Sequence, residues 1–436
     1  MDRSRLAVVK LLGKTFAKGG YSNILLDQAL KEKEYELSPQ DKAFCTALYY
    51  GVVERKITLD HIISEYSKKK ITKLNPTVVN ILRTGLYQLK YMDSIPDNAA
   101  VNECVEIAKG LKLSKLSGFV NAVLRSFIRD NKEIKYPDSE LMKLTVKYSI
   151  QRQFAEMLLK SYSKEEIESL LEGSLGKPPV TIRLNTVKGS DEEILERIKD
   201  LSPVKTKIDH CYTIENCDVQ GSDGFVKGLF HVQDIASQIC CLAVAPKPGE
   251  VVLDLCAAPG GKTFTMAEIA EDKAKIYAFD IHENRVFLIQ DGAQRLGLQS
   301  VTAANSNAWE YDENIEPADK ILCDVPCSGL GVIRRKPEIK YKDFEEFERL
   351  PDVQYRILEN ASRYLKPGGE LIYSTCTIAP NENKEVVDKF LEGHPNFVGA
   401  SFLDELGEPF GKPCVTLFPH YFNSDGFFIA KMKRID

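Results

Sequence analysis

The sequence predicts an α/β protein: a parallel sheet wound with helices on both faces, preceded by an all-α bundle and a small α/β connecting domain. Three observations carry this reading. Apolar residues recur at helical spacing through residues 1–130 with no strand-like alternation between them, strand-like and helix-like stretches alternate from about residue 226, and the stretch between mixes the two. The expected domains are 1–135, 136–225 and 226–436.

In the bundle, Ser38-Pro39 supplies an N-cap and a first-turn proline, and Phe44, Leu48 and Val52 follow at intervals of four. Asn75-Pro76 repeats the device ahead of Val78, Val79, Leu82, Leu86 and Leu89. Further helices are expected at 4–17, 21–33, 57–68, 97–110 and 114–130. The last sets Lys112, Lys115, Arg125 and Arg129 beside Phe119, Val120, Val123 and Leu124, an amphipathic helix whose basic face could meet phosphates. In the connecting segment, Ser163 with Glu166 and Ser190 with Glu193 have capping-box spacing, VTIRLNT (180–186) reads as a strand, and Ser222-Asp223-Gly224 reads as a turn. Beyond it, strands are expected at 251–255, 275–280, 300–304, 319–324 and 370–375, with helices near 260–271, 282–296, 346–364 and 381–393. VTLF (415–418) and FFIAKM (427–432), parted by a turn at 423–426, close as an antiparallel pair.

The chain has 436 residues, 43% hydrophobic and 28% charged, a globular balance with no apolar run near the roughly 18 residues a membrane span needs. Lys10 and Lys14 break up the apolar stretch near the N-terminus, so a signal peptide is not expected. Eleven irregularly spaced cysteines point to reduced thiols in a cytoplasmic protein. The net charge of −5 hides an asymmetry: residues 1–150 hold 25 Lys and Arg against 17 Asp and Glu, the remainder 33 against 46. A basic front half on an acidic body suits an anionic partner, or only a solvated helical surface.

The most informative stretch is LDLCAAPGGKT (253–263), a strand, a glycine turn and a helix. Gly260 and Gly261 let the backbone approach a ligand, and the helix behind them offers free amides. A Walker loop would need a further glycine where Cys256 stands, and Pro259 interrupts it; the dinucleotide pattern G-x-G-x-x-G is absent. S-adenosylmethionine is the third reading, its amino-acid end on the turn amides and its ribose on a carboxylate. Asp280 ends the next strand where such an acid belongs; the plainer alternative is a cap on the helix that follows.

Two cysteines follow adjacent strands. Cys327 lies in CDVPCSGLGVIRRKPEIK (323–340) after the fourth and Cys376 in STCT (374–377) after the fifth. In a sheet ordered 3-2-1-4-5 both emerge at the C-terminal edge, where such folds bind ligands. Two thiols near a methyl donor suit pyrimidine carbon 5, which becomes nucleophilic only after a thiolate adds to carbon 6. A free thiol is mostly protonated at neutral pH, so Lys262, Arg334, Arg335 and Lys336 are candidates for a supporting positive field. Asp324, three residues before Cys327, could hold the cytosine ring or contact the donor. Each cysteine taken alone reads more simply as a small buried residue. The others (Cys45, Cys104, Cys211, Cys217, Cys240, Cys241, Cys256, Cys323 and Cys414) show no C-x-x-C pairing, and the six histidines are scattered, so no metal site is expected.

These motifs resemble those of the RNA cytosine-5 methyltransferases, and the whole-chain plan resembles the bacterial Sun/Fmu (RsmB-type) 16S ribosomal RNA enzymes. CAAPGGKT, DVPCSGLGVIRRKPEIK and STCT carry the resemblance, with the shorter RLNT (183–186), QDIAS (233–237) and DGFF (425–428). It implies a Rossmann-like class I methyltransferase domain behind a NusB-like RNA-binding bundle, with S-adenosylmethionine as cofactor and 16S ribosomal RNA, naked or in an early assembly intermediate, as partner. It further implies Cys376 as nucleophile and Cys327 as the residue that assists product release. Donor contacts fall on Cys256, Ala257, Ala258, Pro259, Gly260, Gly261, Lys262, Asp280, Asn307 and Asp324. Two positions depart from the pattern: Asn307-Ala308 stands where the family usually has Asp-Ala, and KYSIQRQF (147–154) lacks its Pro-x-Trp. A monomer is expected, without membrane or metal. Transfer RNA as substrate, a catalytically inactive RNA-binding adaptor and a nucleotide hydrolase are the rival readings.

Overall fold

The fold is that of a computed structural model describing residues 1–18, 22–31, 37–215 and 218–436. It divides into two compact units, Met1–Gly176 with Ile333–Phe344, and Lys177–Val332 with Glu345–Asp436.

The first unit is helical: Arg3–Lys18, Ser22–Lys31, Pro39–Glu54, Lys56–Ser67, Pro76–Tyr91, Asp97–Gly110 and Ser114–Arg129, then Glu140–Tyr148, Arg152–Ser161 and Lys164–Gly173. The expected helix over 21–33 thus lies partly outside the described residues. Both Pro-led starts form as their sequences dictate. Ser38 and Asp41 make a reciprocal capping box, and Asn75 Oδ1 accepts from the amides of Thr77 and Val78. Pro76–Tyr91 is the central helix, buried on most of its surface, and Leu48, Val52, Leu82, Leu86, Leu124 and Phe127 are fully buried. On Ser114–Arg129, Val120, Val123 and Leu124 face the core while Lys112 (just before it), Lys115, Arg125 and Arg129 are exposed. The returning segment Ile333–Phe344 is held in this unit by Tyr341, whose hydroxyl meets Val53 O at 2.7 Å, and by the buried Lys340, whose Nζ donates to Tyr148 O at 3.2 Å and Glu54 O at 3.4 Å.

The second unit holds two sheets. The strands are β1 (Val180–Leu184), β2 (Val204–Lys205), β3 (Cys211–Ile214), β4 (Phe230–Val232), β5 (Val251–Asp254), β6 (Lys275–Asp280), β7 (Val301–Asn305), β8 (Ala318–Asp324), β9 (Leu365–Thr375), β10 (Phe397–Gly399), β11 (Cys414–Leu417) and β12 (Phe427–Arg434). The smaller sheet is antiparallel in the order β2-β3-β1-β4. The larger runs β10-β12-β9-β8-β5-β6-β7, with β11 also on β12. Its five parallel strands take the expected 3-2-1-4-5 order, and β11 pairs antiparallel with β12 as expected. Helices Gly261–Ile269, Glu283–Leu296, Leu350–Ser362 and Lys384–Gly393 connect the strands. Order reverses between β5 and β8, the switch point at whose C-terminal strand ends such sheets bind their ligands.

Some elements differ from expectation for local reasons. Ser222-Asp223-Gly224 opens a short helix, Asp223–Val226, because Ser222 Oγ accepts from Phe225 N. The helix expected near 346–364 starts later, at Leu350 with Pro351 in its first turn, after a separate 3₁₀ turn at Phe344–Phe347. Helix Ile235–Val244 was not foreseen: it is apolar and buried nearly all round, so it lacks the one-sided periodicity that betrays a surface helix. Strands β4 and β10 span three residues each, too short for alternation to register.

Candidate active site

The glycine loop is fixed by the strands on either side of β5. Leu255 N donates to Leu322 O on β8 (3.1 Å) and Ala257 N to Phe279 O on β6 (2.8 Å), while Gly260 N closes a turn on Ala257 O (2.8 Å). Gly260 has φ of 107°, and a Cβ there would lie 2.3 Å from the Phe264 ring, so only glycine fits. No side chain caps the helix that follows, which leaves its first amides to a ligand. Ala257 and Ala258 are buried, and Cys256 is half-buried, its thiol pushed well up by desolvation. Asp254 Oδ2 accepts from Thr263 Oγ1 at 2.7 Å, but its buried Oδ1 has no partner. Burial raises this carboxyl to about 7.

Asp280 stands at the C-terminal end of β6, as expected. Its Oδ1 accepts from His282 N (3.0 Å) at the start of the next helix, and its Oδ2 pairs with Arg285 (3.1 Å). Arg285 Nη2 also donates to Ala258 O at 2.6 Å, so the acid is linked to the glycine loop. Asn307 is engaged in its own turn, donating to Glu310 Oε1 at 2.7 Å; the neighbour that reaches Asp280 is Asn305, whose Nδ2 donates to its carbonyl at 2.9 Å.

The two thiols converge. Cys327 Sγ and Cys376 Sγ are 3.1 Å apart, hydrogen-bonded and half-buried. The contact with Cys376, together with burial, holds the Cys327 thiol well above its ordinary pKa. Either sulfur can be the donor in this contact. Beside them Asp324 accepts from Lys262 Nζ on Oδ2 (2.7 Å) and from Ser374 Oγ on Oδ1 (2.8 Å). Burial works against the Lys262 charge, but Asp324 overcompensates and its pKa ends above the usual value. Arg334, Arg335 and Lys336 fall in the segment counted with the helical unit, so of the four expected cations the second unit contains only Lys262. Cys45, Cys104, Cys211, Cys240, Cys241 and Cys323 are buried and Cys217 lies outside the described residues. No group of three or more potential metal ligands occurs among the described residues.

Sequence reading missed the residues that hold these loops. Gln354 Nε2 donates to Pro326 O (3.0 Å) and Glu382 Oε2 (2.9 Å), and Ser328 N donates to the same carboxylate oxygen (2.9 Å). Asn383 accepts from Thr375 Oγ1 (2.6 Å) and donates to Thr377 O (3.0 Å), and Ser328 Oγ meets Thr377 Oγ1 at 2.8 Å. The signal was the polar run Asn381-Glu382-Asn383 soon after a strand-end cysteine. The shorter signatures also find roles. Gly426 of DGFF donates to Gly331 O (2.9 Å), and Gly331 N donates to Cys376 O (3.0 Å). Arg183 of RLNT pairs with the buried Glu268 at 2.9 Å, and Gln233 of QDIAS accepts from Thr265 Oγ1 at 2.6 Å, both on the helix behind the glycine loop.

Comparison with known proteins agrees with this geometry. The family described as 16S rRNA methyltransferase RsmB/F matches residues 241–433, and the NusB family matches residues 2–129. The chain is 36% identical over 426 residues to the probable ribosomal RNA small subunit methyltransferase B of Bacillus subtilis, covering 95% of each chain. It is 34% identical to the protein of the same description from Synechocystis, covering 96% of each. Among solved structures, the crystal structure of PH0851 superposes with a TM-score of 0.80 at 25% identity, over 100% of this chain and 99% of that one. With its donor-type loop, its paired thiols and relatives that match along almost its whole length, this chain belongs to the RsmB-type ribosomal RNA small subunit methyltransferase family.

Proposed function

We propose that the protein methylates carbon 5 of a cytosine in 16S ribosomal RNA, with Cys376 as the attacking residue and Cys327 serving product release. The observation that carries this is the 3.1 Å approach of the two sulfurs beside the Lys262–Asp324 pair. S-adenosylmethionine, the cofactor of this enzyme class, supplies an electrophilic methyl group when bound. The residues present suit it: Gly260 keeps the loop open to close approach, Asp280 offers a carboxylate at a strand end, and the unpartnered Asp254 Oδ1 can accept from a cationic amine. Cys256, Ala257, Ala258, Pro259, Gly260, Gly261, Lys262, Asp280 and Asp324 would hold it, with Asn307 at the adenine edge.

Cys376 adds to carbon 6 as a thiolate, which turns carbon 5 into a nucleophile. Lys262 beside Asp324 lends positive charge to the pocket, and Asp324 orients the base through its amino group or ring nitrogen. The exposed cations of Ser114–Arg129 would contact phosphates on naked RNA or an early assembly intermediate, and the protein would act as a monomer.

The test is methyl transfer by two variants. Cys376→Ala should abolish turnover and leave donor binding measurable, whereas Cys327→Ala should accumulate a protein–RNA adduct. Substantial methylation by Cys376→Ala would refute the proposal. Labelled-methyl incorporation into naked 16S RNA against bulk transfer RNA decides the substrate, and donor affinity without transfer to any RNA would mark an inactive adaptor.

A further inference from the structure

Two adjacent buried residues, Glu382 and Asn383, sit between the thiol loops and serve different ones. Glu382 holds the Cys327 side. Its Oε2 accepts from Ser328 N, the residue after Cys327, and from Gln354 Nε2, which also donates to the carbonyl of Pro326, the residue before it. Its backbone carbonyl accepts from the buried Tyr373 hydroxyl, so the clamp stands on β9. Asn383 holds the Cys376 side, bonding to Thr375 and Thr377 around that cysteine. Glu382, Asn383 and Gln354 are all at least 98% buried, and neither Glu382 nor Gln354 bonds to either sulfur. Nothing in attack by Cys376 calls for a charged clamp on the other cysteine.

We infer that Glu382, together with Gln354, is a positioning residue for product release, fixing Cys327 where its S–H can meet the departing Cys376 sulfur. This rests on the roles given to the two cysteines above. In release the C5–H bond breaks and its proton passes to water. The C–H electron pair becomes the C5=C6 double bond, and the C6–S pair leaves with Cys376 as a thiolate. A Cys327 thiol held 3.1 Å away donates to that thiolate. Loosening the loop displaces that donor while the hold of Asn383 on Thr375 and Thr377, on either side of the attacking residue, stays in place. Misplacement on the scale of an ångström costs on the order of a hundredfold where geometry governs a step.

The test separates steps. First-turnover methyl incorporation, steady-state turnover and denaturation-resistant protein–RNA adduct are measured for Glu382→Gln, Gln354→Met, Asn383→Ala and Cys327→Ala. Glu382→Gln and Gln354→Met should turn over roughly tenfold or more slowly and trap adduct, with first-turnover methylation within about threefold of the parent. Asn383→Ala should slow the first turnover and trap none. If Glu382→Gln fails to fold, Gln354→Met, which keeps length and removes only the amide, decides. Parallel loss of first and later turnovers, parental behaviour, or equal trapping by Asn383→Ala would overturn the inference. Should Cys327→Ala trap adduct while both clamp variants do not, the inference alone fails; should Cys327→Ala trap none, the cysteine roles fail and take the inference with them.

Discussion

Lys262 Nζ donates to Asp324 Oδ2 at 2.7 Å, joining the first turn of the helix behind the glycine loop to the end of β8. Lys262 also lies 5.1 Å from the centre of the Phe427 ring. The pair is largely desolvated, with side-chain exposures of 14% and 26%, so removing one partner strands the other. Lys262→Met should lower kcat by about a hundredfold or more through the charge lost from the pocket. It should also cost on the order of 3 kcal/mol in urea unfolding. Asp324→Asn keeps the shape and should lose a similar share of activity, and the double variant should be no worse than the poorer single. Additive losses would show that the two residues act independently.

Gly331 bridges the Cys376 loop and the DGFF turn, and a Cβ there would sit 2.0 Å from Gly426 O and 2.8 Å from Cys376 O. Both are backbone atoms and cannot swing aside. Gly331→Ala should therefore push Cys376 out of register, cutting methyl transfer by about tenfold or more and destabilising the protein by about 1–3 kcal/mol. Parental kinetics in this variant would mean that the nucleophile loop tolerates displacement.

Arg183 and Glu268 form a buried ion pair between β1 and the helix that carries Lys262, with side-chain exposures of 3% and 0%. His231 Nδ1 lies 3.4 Å from the other Glu268 oxygen. Breaking such a pair leaves an uncompensated buried charge, so Arg183→Met should destabilise the protein by about 3–5 kcal/mol. Replacing both partners by apolar residues removes both charges, and Arg183→Met with Glu268→Leu should be markedly more stable than Arg183→Met alone. Thermal or urea unfolding of the two variants checks this; a double variant weaker than Arg183→Met would contradict it.

The parts of this protein legible in its sequence are those encoded locally. Ser38-Pro39 and Asn75-Pro76 announce their helices because the caps lie within four residues of what they bind. The alternation of strands and helices is local too, and the 3-2-1-4-5 order supposed for such a sheet is the one found, with Cys327 and Cys376 at neighbouring strand ends. What stayed hidden depends on contacts distant in sequence. Glu382 reads as one acid in a polar run until Ser328, 54 positions away, is seen donating to it. Gly331 and Gly426 are unremarkable glycines until their backbones meet. Nothing local marks Lys340, in the same motif as Cys327, as a core residue, yet it lies buried among the carbonyls of the helical unit.

That lysine gives the protein a pH signature. Burial pushes Lys340 down to about 8 from an ordinary 10.5, with Glu54 opposing the shift and Arg55 adding to it. Between those two values the unfolded chain carries a proton that the folded one has lost, so folding gains as pH rises. The stabilisation is complete above the unfolded value and disappears as pH falls through about 8. At about 1.36 kcal/mol per unit, the span amounts to roughly 3 kcal/mol. The neighbouring Tyr341 hydroxyl, raised by burial, acts in the opposite sense once unfolded tyrosines ionise near pH 10, so the lysine must be isolated by difference. Urea unfolding of the protein and of Lys340→Met, followed at about pH 7.5 and about pH 10.5, should show the parent gaining roughly 3 kcal/mol on the variant. A difference that stays level with pH would mean that Lys340 keeps its proton in the fold, and that its two carbonyl partners compensate the lost hydration.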